Sequence, residues 1–163
     1  MLFKLKFAIL CSAIFFLALS HHTSHAQKAA TEFVEIKPAE IKWVVREQGV
    51  KSVTLFGDPD KPGLYIVRNI FPAGIMSSPH SHDQDRYVTV IRGVWHAGTS
   101  TNWQASDTVA IAAGGMMFHP AGKIHFDGAI EGDAEVQIMG MGPVKSDYVF
   151  KQAPHFGKPH KLD

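Results

Sequence analysis

Pro79-His80-Ser81-His82 and Pro120-Ala121-Gly122-Lys123-Ile124-His125 stand about forty residues apart, each between runs that read as β-strands. Strand side chains alternate faces, so His80 and His82, at i and i+2, project from one face. A third imidazole from a distant strand, His125, can close a facial set of the kind divalent transition metals take. Such convergence requires short strands folded back on one another, and the surrounding sequence supplies them.

From Ile41 onward, runs rich in Val, Ile, Phe, Trp and Tyr alternate with Gly, Pro and Asp punctuation, the pattern of an all-β sandwich or barrel. Strands are expected at Lys42–Arg46, Val50–Phe56, Leu64–Phe71, Tyr87–Trp95, Thr108–Ala112, Met116–His119 and Ala134–Met141. No helical period is sustained between them. Residues 57–63, Phe71-Pro72-Ala73-Gly74 and Ala113-Gly114-Gly115 carry turn chemistry, with proline presetting φ and glycine accepting positive φ. Strands that are apolar on both faces must close on themselves or stack as two sheets, which gives a jelly roll or small barrel. Inward-pointing histidines would meet near its mouth.

The chain has 163 residues. Residues 1–26 read as an export leader: Lys4 and Lys6 make a basic start, Phe7 to Ser20 is apolar, and Ser24-His25-Ala26 is a small-x-small cleavage signal. The apolar run falls short of the roughly 20 residues of a membrane span, so no stable membrane anchor is expected. Localisation is expected to be periplasmic or secreted after cleavage near Ala26. The one cysteine, Cys11, sits inside the leader, leaving a mature chain without thiol or disulfide. Removing Lys4 and Lys6 from the 16 basic residues leaves them nearly balanced against 15 acidic ones. No cluster of Lys and Arg marks a nucleic-acid or membrane partner, so a small-molecule ligand or substrate is the expected one. The organisation reads as leader 1–26, extended segment 27–40, one β-domain 41–148, and a Pro- and Lys-rich tail 149–163.

These residues resemble the cupins, double-stranded β-helix (jelly-roll) barrels of the RmlC-like type whose two motifs supply a metal site. The first cupin motif is His-x-His, three or four residues, Glu, six residues, Gly. Here His80-Ser81-His82 is followed by Asp83-Gln84-Asp85, then Arg86, then six residues to Gly93. The second is Gly, five residues, Pro-x-Gly, two residues, His, matched in full by Gly114, Pro120-Ala121-Gly122 and His125. The resemblance implies His80, His82 and His125 as ligands of Fe, Mn, Ni, Cu or Zn. It also makes a homodimer expected. Cupins support many chemistries, so the fold does not select a function.

Arg86 stands where the family has its fourth ligand, and arginine cannot ligate a cation. In one reading it faces the histidines and pairs with an anionic substrate, an arrangement that resembles the three-histidine cupin dioxygenases. In another, the Asp83–Asp85 stretch turns, Asp85 enters as an additional ligand and Arg86 points elsewhere. In a third, the metal has been lost and a polar pocket remains. A cation beside a divalent ion is unfavourable, which supports that last reading; three retained imidazoles oppose it. Gln84, His119 and Phe126 are candidate pocket lining, His119 also as a fourth nitrogen ligand, although a satisfied strand histidine is its ordinary reading. Asp127 and Glu131 flank the second motif without a spacing that argues for paired-carboxylate hydrolysis. Met76, Met116, Met117, Met139 and Met141 show no copper-binding repeat and read as core filling. The expected function is an exported cupin that binds a divalent metal and binds or transforms a small, anionic organic molecule, by oxygenase or isomerase chemistry. The alternative is a non-catalytic module that binds a ligand or a metal, one form of it metal-free with an anion pocket around Arg86.

Overall fold

The computed structural model describes residues 32–160; the leader read at 1–26 lies outside them. The described residues form strands β1 (Val44–Val45), β2 (Lys51–Phe56), β3 (Gly63–Phe71), β4 (Met76–Ser77), β5 (His80–His82), β6 (Arg86–Arg92), β7 (Val94–Gly98), β8 (Thr108–Ala112), β9 (Met116–His119), β10 (Phe126–Gly128), β11 (Ala134–Gly142), β12 (Ser146–Tyr148) and β13 (Phe156–Gly157). Among the described residues helix is limited to three short 3₁₀ turns. None among the described residues is long and apolar enough to cross a membrane.

The strands form two facing antiparallel sheets, ordered β1-β2-β3-β11-β6-β9 and β13-β4-β10-β7-β8, with β12-β5 as a separate pair. Alternation decides what each strand buries. In β11, Ala134, Val136, Ile138 and Gly140 are buried while Glu135, Gln137, Met139 and Met141 lie further out. Val88 and Val90 of β6 and Trp95 and Ala97 of β7 meet them in the core, beside Tyr65, Phe71 and Ile75. Met76, Trp103 and Phe126 form a second buried cluster.

The run read as one strand, Tyr87–Trp95, is two strands in different sheets. Gly93 breaks it, with φ of +78°, and a Cβ there would lie 2.2 Å from the carbonyl oxygen of Asp133. Only glycine combines that backbone with so close an approach, and the chain crosses from one sheet to the other at this residue. Strands β4, β5, β10, β12 and β13 are too short to show a period in sequence. The last of them lies in the segment read as tail: Phe156 and Gly157 pair with Ser77 and Met76, and the Phe156 ring packs edge-on against Phe71 with centroids 6.1 Å apart.

Candidate metal centre

The two histidine segments meet as backbone. His80 and His125 form a β-bridge, each N–H donating to the other's carbonyl at 2.9 Å. The Pro120-Ala121-Gly122 turn is clasped onto β5, since the Gly122 N–H donates to the His82 carbonyl at 2.7 Å, with φ of +73° at Gly122. The second motif's proline and glycine thus shape the turn that delivers His125 beside the first motif.

The ligating atoms of His80, His82 and His125 all lie within 4.8 Å of one another, and all three residues are buried. Their ring centroids are 4.4 to 5.2 Å apart. His80 Nδ1 is 2.7 Å from the Ser78 carbonyl oxygen, and His125 Nδ1 is 3.0 Å from that of Lys123. A carbonyl only accepts, so each Nδ1 carries the proton and each Nε2 carries the lone pair. His82 Nδ1 is 3.1 Å from the Ser146 hydroxyl, while its Nε2 is buried with no hydrogen-bond partner among the described residues. Oriented Nδ1 groups behind inward lone pairs are how proteins hold ligating histidines, and the donor set fits a divalent transition metal.

Burial keeps these rings neutral, as ligation requires. It pushes His80 to about 4, with His125 adding to the effect. His125 falls to about 4 through burial, against the Lys123 hydrogen bond and with the help of Arg86. His82 is lowered most strongly, first by burial and then by the charge of Arg86.

Arg86 faces this cluster. It has the same parity as Val88 and Val90 in β6, and its Nη2 donates to His125 Nε2 at 3.3 Å. Register places Tyr65, Gly140, Arg86 and His119 in one row across the larger sheet. Burial lowers the guanidinium from its ordinary value, and Asp127 is first among the groups that oppose this. Asp127, at i+2 from His125, is the one acid lining the cavity among the described residues. Burial pushes its carboxyl up, against the pull of His80 and Arg86. The cavity is about 140 Å³, lined also by Trp95, Ser146 and Tyr148. That is well below the roughly 300–1,000 Å³ of drug-sized pockets, so a bound molecule has few heavy atoms.

His119 belongs to the cluster, with its ring 4.0 Å from that of His125. Its ordinary reading as a satisfied strand histidine does not hold, because neither ring nitrogen has a hydrogen-bond partner among the described residues. Three other candidates lie elsewhere. Asp85 is exposed, and its Oδ1 accepts from the Ala121 N–H at 2.8 Å, so its carboxylate ties the clasped turn from outside instead of entering as a ligand. Gln84 is exposed on a separate outer groove, because the chain bends at 83–84 and carries it off the face that His80 and His82 share with Arg86. Phe126 points away from His125 and Asp127 by alternation and packs with Met76 and Trp103. Asp127 was legible from His125-x-Asp127 on one strand, whereas Tyr65, Ser146 and Tyr148 needed the register between strands distant in sequence.

No protein-family model matches the chain, and no curated protein sequence matches it. Solved structures do. The polyketide cyclase RemF from Streptomyces resistomycificus superposes with a TM-score of 0.61 at 13% identity, covering 73% of this chain and 87% of that one. KdgF from a Halomonas species gives a TM-score of 0.54 at 22% identity, covering 64% and 91%. An RmlC-like cupin from Shewanella frigidimarina gives 0.54 at 17%, covering 66% and 90%. At these identities the likeness speaks for architecture alone, and with the two clasped motifs it assigns this chain the cupin jelly-roll fold.

Proposed function

We propose that this protein is a metal-dependent cupin that binds or transforms a small anionic molecule. The observation that carries the reading is the orientation of the three imidazoles: two Nδ1 protons are committed to backbone carbonyls, the third Nδ1 meets a hydroxyl, and the ligating atoms of the three buried rings lie within 4.8 Å of one another. A divalent ion held there would supply Lewis-acid or oxygen-activating chemistry. Arg86 would pair with the anionic group, the low-dielectric walls strengthening that contact. Asp127 would balance the guanidinium, and Tyr148, its ring 5.1 Å from that of His80, would cover the site. Oxygenase or isomerase turnover is part of this proposal, as are export and a homodimer. The exposed Tyr87, Phe118 and Met139 on the outer sheet face suit self-association.

Elemental analysis of the tag-free mature protein beside His80→Ala/His125→Ala tests the reading. Near-stoichiometric metal that disappears in the variant supports it; no metal in either protein removes it. A second reading rests on Arg86, whose Nη2 already donates to the His125 lone pair. In that state the guanidinium occupies the position of a cation, and the cavity would be a metal-free anion site. Saturable carboxylate binding by protein free of metal would favour it.

A further inference from the structure

His119 is 3% exposed, and both of its ring nitrogens lack a hydrogen-bond partner among the described residues. Burying an imidazole unpaired is costly, and a strand position can as easily carry an apolar side chain. Its ring lies beside that of His125 and also stacks on Trp95 at 5.7 Å and 29°. Asp127 Oδ2 is 4.0 Å from His125 Nε2. The ligating atoms of His119, His125 and Asp127 all lie within 4.8 Å of one another, as those of His80, His82 and His125 do. The chain therefore builds two donor sets that overlap at one residue.

His125 Nδ1 is committed to the Lys123 carbonyl, so only Nε2 can ligate. One lone pair serves one ion at a time, which rules out independent filling of both sets. We propose that a single divalent ion has two alternative seats pivoting on His125: one of three imidazoles, and one of two imidazoles and a carboxylate. This rests on the metal reading above and extends it. Arg86 displaces the carboxylate from the first motif, and Asp127 restores one from β10 in the other sheet. The carboxylate seat suits harder ions and the all-nitrogen seat softer ones. Either requires Arg86 to leave the His125 lone pair, which frees the guanidinium for an anion.

The test is Zn(II) stoichiometry and affinity, with Co(II) absorption spectra to report the ligand set, on full-length mature protein. The proteins compared are wild type, His80→Ala/His82→Ala, His119→Gln/Asp127→Asn and His125→Ala, each checked for fold by circular dichroism. Wild type and both double variants are expected to bind one ion per chain, the doubles more weakly and with Co(II) spectra that differ from each other. His125→Ala is expected to bind none. If H80A/H82A binds no ion while H119Q/D127N matches wild type in affinity and spectrum, the second seat is overturned and the three-histidine centre stands. Two ions per wild-type chain would overturn the pivot. No ion on wild type would remove both. Should H80A/H82A not fold, His82→Gln alone carries the test, with loss of the ion as the overturning result.

Discussion

Arg86 reaches the histidine cluster because β6 parity is set by Val88 and Val90, whatever the preceding turn does. Its Nε is buried without a partner among the described residues, so the guanidinium is held at a cost to stability. Arg86→Met leaves the buried Asp127 without its counter-charge, so it should lower the melting temperature while weakening binding of formate or acetate at least tenfold, since a charge-assisted hydrogen bond contributes about 1.5–3 kcal/mol. Titration calorimetry and thermal melts on one preparation check both arms, and Arg86→Lys should fail to restore affinity because it lacks the planar fork. The histidines carry a pH prediction for metal-stripped protein. His80 and His125 are neutral in the fold down to about 4, whereas in the unfolded chain they take up protons near their ordinary 6.5. Their stabilising contribution is thus complete above pH 6.5 and is lost as pH falls towards 4, by roughly 3 kcal/mol for each ring at most. A melting temperature that stays flat between pH 7 and 4.5 would contradict it.

Among the elements, the β6–β7 break and the β13 strand are where sequence pattern and structure part. Tyr87–Trp95 reads as one strand because both halves are apolar and β-branched; the crossing depends on Gly93 meeting Asp133, a contact across forty residues of chain. Gly93→Ala should destabilise by about 3 kcal/mol or more, combining left-handed strain with a backbone clash. Gly122→Ala, where φ is +73° but nothing lies within 4 Å of the new Cβ, should cost only about 1 kcal/mol. Urea unfolding of the pair separates strain from space, and equal losses would refute the account. The strand at Phe156–Gly157 shows no period at two residues, yet Phe156 lines the cavity and packs on Phe71. Truncation after Tyr148 should lower the melting temperature and open the site, checked by melts and by quenching of Trp95 fluorescence.

For the whole molecule, a ligand that prefers the folded state must stabilise it. Zn(II) or Co(II) at a thousandfold excess over its dissociation constant should add about 4 kcal/mol, a shift visible in a thermal melt and reversed by a chelator. The site sits where the two sheets and the β12-β5 pair converge, so metal binding should protect β5, β10 and β12 together from hydrogen exchange.

Much was legible in the chain by itself. Strand alternation paired His80 with His82, Pro-x-Gly shaped the turn before His125, and the β periods of Thr108–Ala112 and Met116–His119 run to the same residues in the fold. Those are local facts, governed by two-residue periodicity and turn chemistry. Only tertiary structure decided that Arg86 enters and Asp85 does not: the bend at 83–84 carries Gln84 and Asp85 outward, and the chain re-enters β6 with Arg86 on the side of His80 and His82. Only tertiary structure set Tyr65, Gly140, Arg86 and His119 in one row, and aimed His119 and Asp127 at His125. Register between strands distant in sequence follows from core packing and backbone pairing across the whole barrel, and no window of the chain contains it.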